Sequence, residues 1–172
     1  MLGSTAEWRE EARALRRFAI ALASDARFAR DRAAATLVAD SLVNRSLLAF
    51  HNGEGPGELS RRLRLLCLLV RFHRRHSRLR GFDEDCPESG FAGGAPMERA
   101  VAALPAEWRE ALLLVAIERL SHQQAAAVLE ISLAALLDRL ARARAALSQT
   151  LTGPAAAPLE RRNAAPHLRL IK

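Results

Sequence analysis

The sequence predicts an all-α protein: two small helical domains over residues 6–80 and 97–150, a flexible acidic linker over 81–96 between them, and a tail over 151–172. Three observations carry that prediction. Apolar residues recur about every three to four positions through most of the chain, the period of a helix with one buried face. The segment GFDEDCPESGFAGGAP, Gly81 to Pro96, holds glycine, proline and acid but almost no such period, so it separates two helical blocks. The 172 residues are 50% hydrophobic and only 5% aromatic, which suits a core of Leu, Ala and Val, and nothing suggests a large sheet.

The first helix is expected from Ala6 to Ala23, with Trp8, Ala12, Leu15, Phe18 and Leu22 on one face and Arg9, Arg13, Arg16 and Arg17 around the others. Ser24 and Asp25 offer a break and a new N-cap. A second helical region, about Ala26 to Phe50 with room for a bend or interruption, carries Leu37, Val38, Leu42, Val43, Leu47 and Leu48. HNGEGPGE, His51 to Glu58, is a loop by its glycines and proline. A third helix from about Leu59 to Leu79 sets Leu63, Leu66, Cys67, Leu69 and Val70 among basic residues, with eight arginines between Arg61 and Arg80 and no acid. That repulsion calls for a partner to relieve it, and closely spaced guanidinium groups neutralise phosphates.

Beyond the linker, LPAEWREALLLVAIERLSHQQAAAVLEISLAALLDRLARARAAL, Leu104 to Leu147, reads as a helix, a short helix, a tight turn and a third helix, a layout that presents one helix to a DNA groove. Leu112, Leu113, Val115 and Ile117 supply a wall, and Ala125, Ala126, Val128 and Leu129 mark the short helix. Ser132 is the expected N-cap of the last helix. Its Leu133, Leu136, Leu137, Leu140 and Leu147 form a buried stripe, and Ala135, Asp138, Arg142 and Ala145 point outward. The tail holds three prolines and no stripe, so poor order is expected, with LRLIK available to dock on a partner or on the chain.

Composition excludes several function classes. No apolar run approaches the ~20 residues needed to span a bilayer, and MLGSTAEWREEARALRR begins an amphipathic pattern, which together predict a cytoplasmic protein without a membrane partner. Cys67 sits in an apolar helix and Cys86 in the linker, outside any disulfide or metal spacing. The net charge of +7 is almost all arginine, since Lys172 is the one lysine, and such a surface attracts polyanions, nucleic acid first. A genome rich in G and C also favours Arg and Ala codons.

His73 and His76 stand three apart and offer two metal ligands, but no further ligand follows and the arginines repel a cation, so solvated or phosphate-contacting histidines are expected. A metal-dependent enzyme is the remote alternative. No phosphate loop, nucleophile elbow or paired catalytic carboxylate supports it, and neither a cofactor nor a small-molecule substrate is expected. Trp8 and Trp108 lie at helical spacing with apolar neighbours and read as packing residues rather than base-stacking ones.

LPAEWREALLLVAIERLSHQQAAAVLEIS followed by RLARARAAL is similar to the second domain of short bacterial sigma factors of the extracytoplasmic-function type. LRRFAIALASD and RFHRRHSRLR resemble, more loosely, their first domain. The resemblance covers roughly Ala12 to Leu147. It implies a sigma region 2-like domain, a linker and a sigma region 4-like helix-turn-helix domain, with RNA polymerase core and promoter DNA as partners.

On that resemblance, Arg71, Arg74, Arg75 and Arg78 would meet the opened promoter, while Arg139 and Arg142, with Arg144, would clamp upstream duplex. Two registers remain open for the polymerase-docking surface. An ungapped one puts Arg30, Asp31, Arg32, Ala33, Ala34 and Ala35 there; the other uses ADSLVNRSLLAF, with Leu42 and Val43.

The chain departs from the family in two informative places. Glu130 stands where a glycine is usual at the sharp turn, at a cost of roughly 1 kcal/mol if the backbone is left-handed. Ala134, Ala135, Leu136, Leu137, Asp138 and Arg139 replace Gly-Thr-Val-Lys-Ser-Arg, which puts a carboxylate where phosphate contacts are expected. The same erosion resembles the sigma-like domains of general-stress response regulators, which capture an anti-sigma factor. Here that reading requires a stand-alone form without a receiver domain, with Leu136 and Leu137 holding the partner's helices through apolar burial.

Overall fold

The computed structural model describes residues 5–24, 32–80 and 95–152, all of it helix and connecting loop. Seven helices follow in order: α1 (Thr5–Ala23), α2 (Arg32–His51), α3 (Arg61–Arg80), α4 (Pro96–Ala102), α5 (Ala106–Ala116), α6 (His122–Leu129) and α7 (Leu133–Thr152). Cys86, nearly all of the expected linker and all of the expected tail beyond Thr152 lie outside the described residues; Leu151 and Thr152, assigned to the tail, instead end α7, and Pro96, assigned to the linker, starts α4.

The amino-terminal half packs α1, α2 and α3 pairwise. In α1, Leu15, Phe18, Ala19 and Leu22 are buried at helical spacing, and α2 buries Ala35, Ala39, Leu42, Val43, Ser46 and Ala49. Burying a side chain such as Phe18 contributes about 2–3 kcal/mol before cavity effects. From Arg32 onward α2 runs without interruption. By length and hydropathy Ala33–His51 is apolar enough to cross a membrane, contrary to the expectation that no run would be, and here part of it faces the core.

Between α2 and α3 the backbone reverses through Gly53 and Gly55, both at positive φ. A Cβ on Gly55 would stand 2.9 Å from Cγ of Arg64, which donates from Nε to the Glu54 carbonyl at 2.6 Å, so that turn has no room for a side chain.

In the carboxy-terminal half α4, α5 and α6 all pack on α7. Pro96 opens α4, a helix the sequence reading did not foresee, and buried Arg109 donates to the Ala102 carbonyl at 3.0 Å, tying α5 to the end of α4. Ser121 and Gln124 form a reciprocal capping box for α6, at 3.2 and 3.0 Å. Ser132 caps α7 as expected, its Oγ accepting from the Ala135 amide at 3.2 Å.

The buried stripe on α7 is narrower than expected: Leu136, Leu140 and Ala143 are buried, whereas Leu133 and Leu137 are 41% and 44% exposed. A helix covered from one side shelters only one narrow stripe, and the remaining leucines of an apolar-rich sequence turn outward.

The two halves share a core. α1 touches α5, α3 touches α6, and one apolar cluster runs from Leu15 and Phe18 through Leu66 and Val70 to Leu114, Val128 and Leu140. In α3, six successive residues, Leu65 to Val70, are all buried. At 3.6 residues per turn that run passes right round the helix, so this middle stretch of α3 is enclosed on every side, by α1 and α2 and by the other half.

Candidate nucleic-acid interface

The arginines singled out from sequence fall into two groups. In the first, carboxylates of the other half reach α3. Glu110, buried on α5, accepts from Arg74 at both Nη2 (2.7 Å) and Nε (2.9 Å). Arg71 pairs with Glu130 at the end of α6, with Nε 3.3 Å from Oε2. Arg62 donates to the Glu118 carboxylate at 2.8 Å and to its carbonyl at 3.1 Å. On the opposite flank Arg61 pairs with Glu11 at 2.7 Å and lies over the Trp8 ring, while Arg64 lies over Phe50. Part of the repulsion expected of the arginine helix is therefore relieved within the chain.

Arg75, Arg78 and Arg144 form the second group, exposed and without a carboxylate partner among the described residues. Arg139 pairs with Glu107 at 2.8 Å. Arg142 pairs with Asp138 one turn earlier at 2.9 Å, which cancels most of the charge on the outward face of α7.

Glu130 has φ 58° and ψ 43°, the left-handed conformation anticipated for it. Its N–H donates to the Ala127 carbonyl at 3.3 Å and that of Ile131 to the Ala126 carbonyl at 3.1 Å, the pair of hydrogen bonds that ends a helix at a left-handed residue. Glycine fits this position without strain, so the side chain present there is strained, and it is placed against Arg71.

His73 is buried, contrary to the solvated or phosphate-contacting role expected, because the enclosed turn of α3 carries it beside Glu110, Nδ1 to Oε1 3.7 Å. Burial pushes the Glu110 carboxyl up, but the neighbouring His73 and Arg74 outweigh it and hold the group below its ordinary range. A cavity of about 230 Å³ opens beside this cluster, lined by His73, Arg74, Ser77, Arg78, Glu107, Glu110 and Arg139. Among the described residues no three His, Cys, Asp or Glu side chains gather as a metal site.

The candidate partner-binding residues separate in the same way. Leu136 is fully buried within its own half, so of the two α7 leucines only Leu137 is presented outward, beside Leu133. Leu42 and Val43 are also core residues, because α2 turns that face to its neighbours, while Leu37 and Leu48 are exposed at 71% and 63%. Asp31 lies outside the described residues. Trp8 is half-buried and meets Phe50 edge-on, ring centroids 6.0 Å apart, in the packing role expected of it.

The carboxylates were missed because they come from the other half. The signal available was the unbroken apolar run Leu65–Val70, which one covered face cannot explain.

Comparison with known proteins places this geometry. Residues 95–147 match the family described as sigma-70, region 4. Over 87% of the chain the fold is similar to that of the sigma factor RpoE, solved in complex with the anti-sigma factor NepR from Bartonella quintana. That match covers 96% of the RpoE chain at 24% identity, with a TM-score of 0.66. No curated protein sequence matches the chain.

Proposed function

We propose that this chain, whose carboxy-terminal half matches sigma-70, region 4, works in transcription initiation as a divergent sigma factor of the extracytoplasmic-function type. The observation that carries the reading is the match over residues 95–147, which coincides with a helix-turn-helix whose last helix, α7, keeps one long side exposed. The partners are core RNA polymerase and promoter DNA, at the polymerase's cytoplasmic location. Arg75, Arg78 and Arg144 supply the phosphate contacts open in this conformation, and Arg71, Arg74, Arg139 and Arg142 are further candidates once their carboxylates are displaced. The chain acts by binding and not as an enzyme. Purified protein added to core polymerase gives promoter-dependent transcripts; failure to bind polymerase at all refutes this form.

A second reading is favoured by one feature of α7. Leu133 and Leu137 are exposed one turn apart, next to an Asp138–Arg142 pair that leaves the face nearly neutral, a surface for an amphipathic helix more than for a phosphate backbone. The chain then captures an anti-sigma factor, the kind of partner held by its structural neighbour. Salt separates the two. Promoter binding weakens steeply between about 50 and 200 mM salt, whereas an apolar protein interface changes little.

A further inference from the structure

We infer that the cavity between α3, α5 and α7 is a binding site for a small oxyanion that keeps a proton of its own, inorganic hydrogen phosphate. This goes beyond the transcriptional reading and does not depend on it.

Two buried nitrogens that have no hydrogen-bond partner among the described residues come from different helices and line this same cavity of about 230 Å³. One is Nδ1 of His73 on α3, whose side chain is 4% exposed. It stands 3.7 Å from Oε1 of Glu110, beyond hydrogen-bond reach. Facing a carboxylate, that nitrogen carries the ring proton and is a donor. The other is Nη1 of Arg139 on α7, whose Nη2 is already engaged by Glu107 at 2.8 Å. Buried donors are almost always satisfied, so two at one cavity mark the place of an acceptor. Arg78 lines the cavity as well, exposed and without a carboxylate partner among the described residues. Three arginines, Arg74, Arg78 and Arg139, stand against two glutamates, Glu107 and Glu110, which leaves one net positive charge with His73 neutral and favours an anion.

The two carboxylates decide which anion. Burial opposes ionisation of Glu110, but His73 and Arg74 outweigh it, so the group stays an acceptor. A fully deprotonated oxyanion such as sulfate meets like charge there and has no proton to give. Hydrogen phosphate keeps a P–O–H that donates to Glu110, while its other oxygens accept from His73, Arg139 and Arg78. The volume lies below the ~300 Å³ at which sites for drug-sized ligands begin, so it suits an ion and not a nucleotide.

The test titrates the full chain with inorganic phosphate at about pH 7.5, with chloride at equal ionic strength as the blank, and reads NMR of the His73 imidazole nitrogens beside thermal melting. An affinity of about 1 mM is expected, which at about 10 mM phosphate raises the melting midpoint by about 3–5 °C. Sulfate and a hexose monophosphate, both largely without an acidic O–H at that pH, bind at least about tenfold more weakly. Arg78→Gln and Arg139→Gln each weaken phosphate binding about tenfold. Glu107→Gln removes a like charge and releases Arg139, and it tightens binding about fourfold, a gain that misfolding does not produce.

A saturable His73 shift that both arginine replacements weaken and Glu107→Gln strengthens supports the site. No saturable shift up to about 20 mM phosphate overturns it and leaves the two donors to ordered water. Saturation that survives both arginine replacements, or that sulfate matches, overturns the assigned contacts and the selection by Glu110. A mixed-sequence DNA duplex that moves the His73 signal as phosphate does overturns the small-ion assignment in favour of a nucleic-acid backbone.

Discussion

Among the described residues Glu110 and Arg74 form the most buried carboxylate–guanidinium pair joining the two halves, with side-chain exposures of 2% and 29%. Replacing Glu110 with Leu leaves Arg74 without its counter-charge. Breaking a fully buried pair costs about 3–5 kcal/mol. Arg74 reaches solvent over nearly a third of its side chain, which lowers the expected loss to about 2 kcal/mol. Arg74→Met strands the more deeply buried partner with only His73 beside it, and the expected loss is about 3 kcal/mol. The double substitution removes both charges and both desolvation penalties, and it stays within about 1 kcal/mol of the parent.

The pair therefore couples by about 4 kcal/mol in a double-mutant cycle, measured by urea denaturation with circular dichroism and tryptophan fluorescence required to coincide. In melting experiments the Glu110→Leu single falls by about 6 °C. Additive losses, a double variant about 5 kcal/mol below the parent, would refute the assignment of this pair as a coupled element of the interface.

Stability also falls with acid. The Glu110 carboxyl ionises below its unfolded range, so its contribution is complete above about pH 4.3 and is lost as pH drops through the folded value; urea midpoints at descending pH show a shallower decline in Glu110→Gln. Glu130→Gly gains about 1 kcal/mol by relaxing the left-handed turn and loses up to about 1 kcal/mol from a half-exposed ion pair, so its urea midpoint stays at or slightly above that of the parent. Ser121→Ala removes the α6 capping box and lowers stability by about 1 kcal/mol in the same assay. Leu114→Ala, in the apolar cluster where the halves meet, costs about 2–5 kcal/mol and lowers the melting transition as a whole.

Helices with one covered face were legible in the sequence. The period of Leu15, Phe18 and Leu22 and the capping role of Ser132 follow from local rules that tertiary context does not override, while the left-handed turn at Glu130 was suggested by the resemblance. What the sequence did not convey was the second covering of α3. Periodicity assigns one face per helix, and it treated Leu65–Val70 as a stripe when the run is too dense for a stripe.

The candidate site fared likewise. Local spacing picked out the arginine-rich helix, but the partners of Arg62, Arg71 and Arg74 lie between 36 and 59 residues away, beyond the reach of any motif. On α7 and α2 the apolar residues were recognised while their inward or outward orientation was not. In an Ala- and Leu-rich helix several stripes are equally apolar, and only the neighbouring helices choose among them.

The enclosure of α3 also bears on biosynthesis. The ribosome delivers α1, α2 and α3 first, and the side of α3 destined for α6 has no cover until residue 129 emerges. At roughly 5–20 residues per second, the 49 positions from Arg80 to Leu129 correspond to a delay of about 2–10 s. During that interval the nascent chain carries a bare, arginine-rimmed apolar strip, the type of surface that chaperones at the exit tunnel hold until the remainder of the polypeptide arrives.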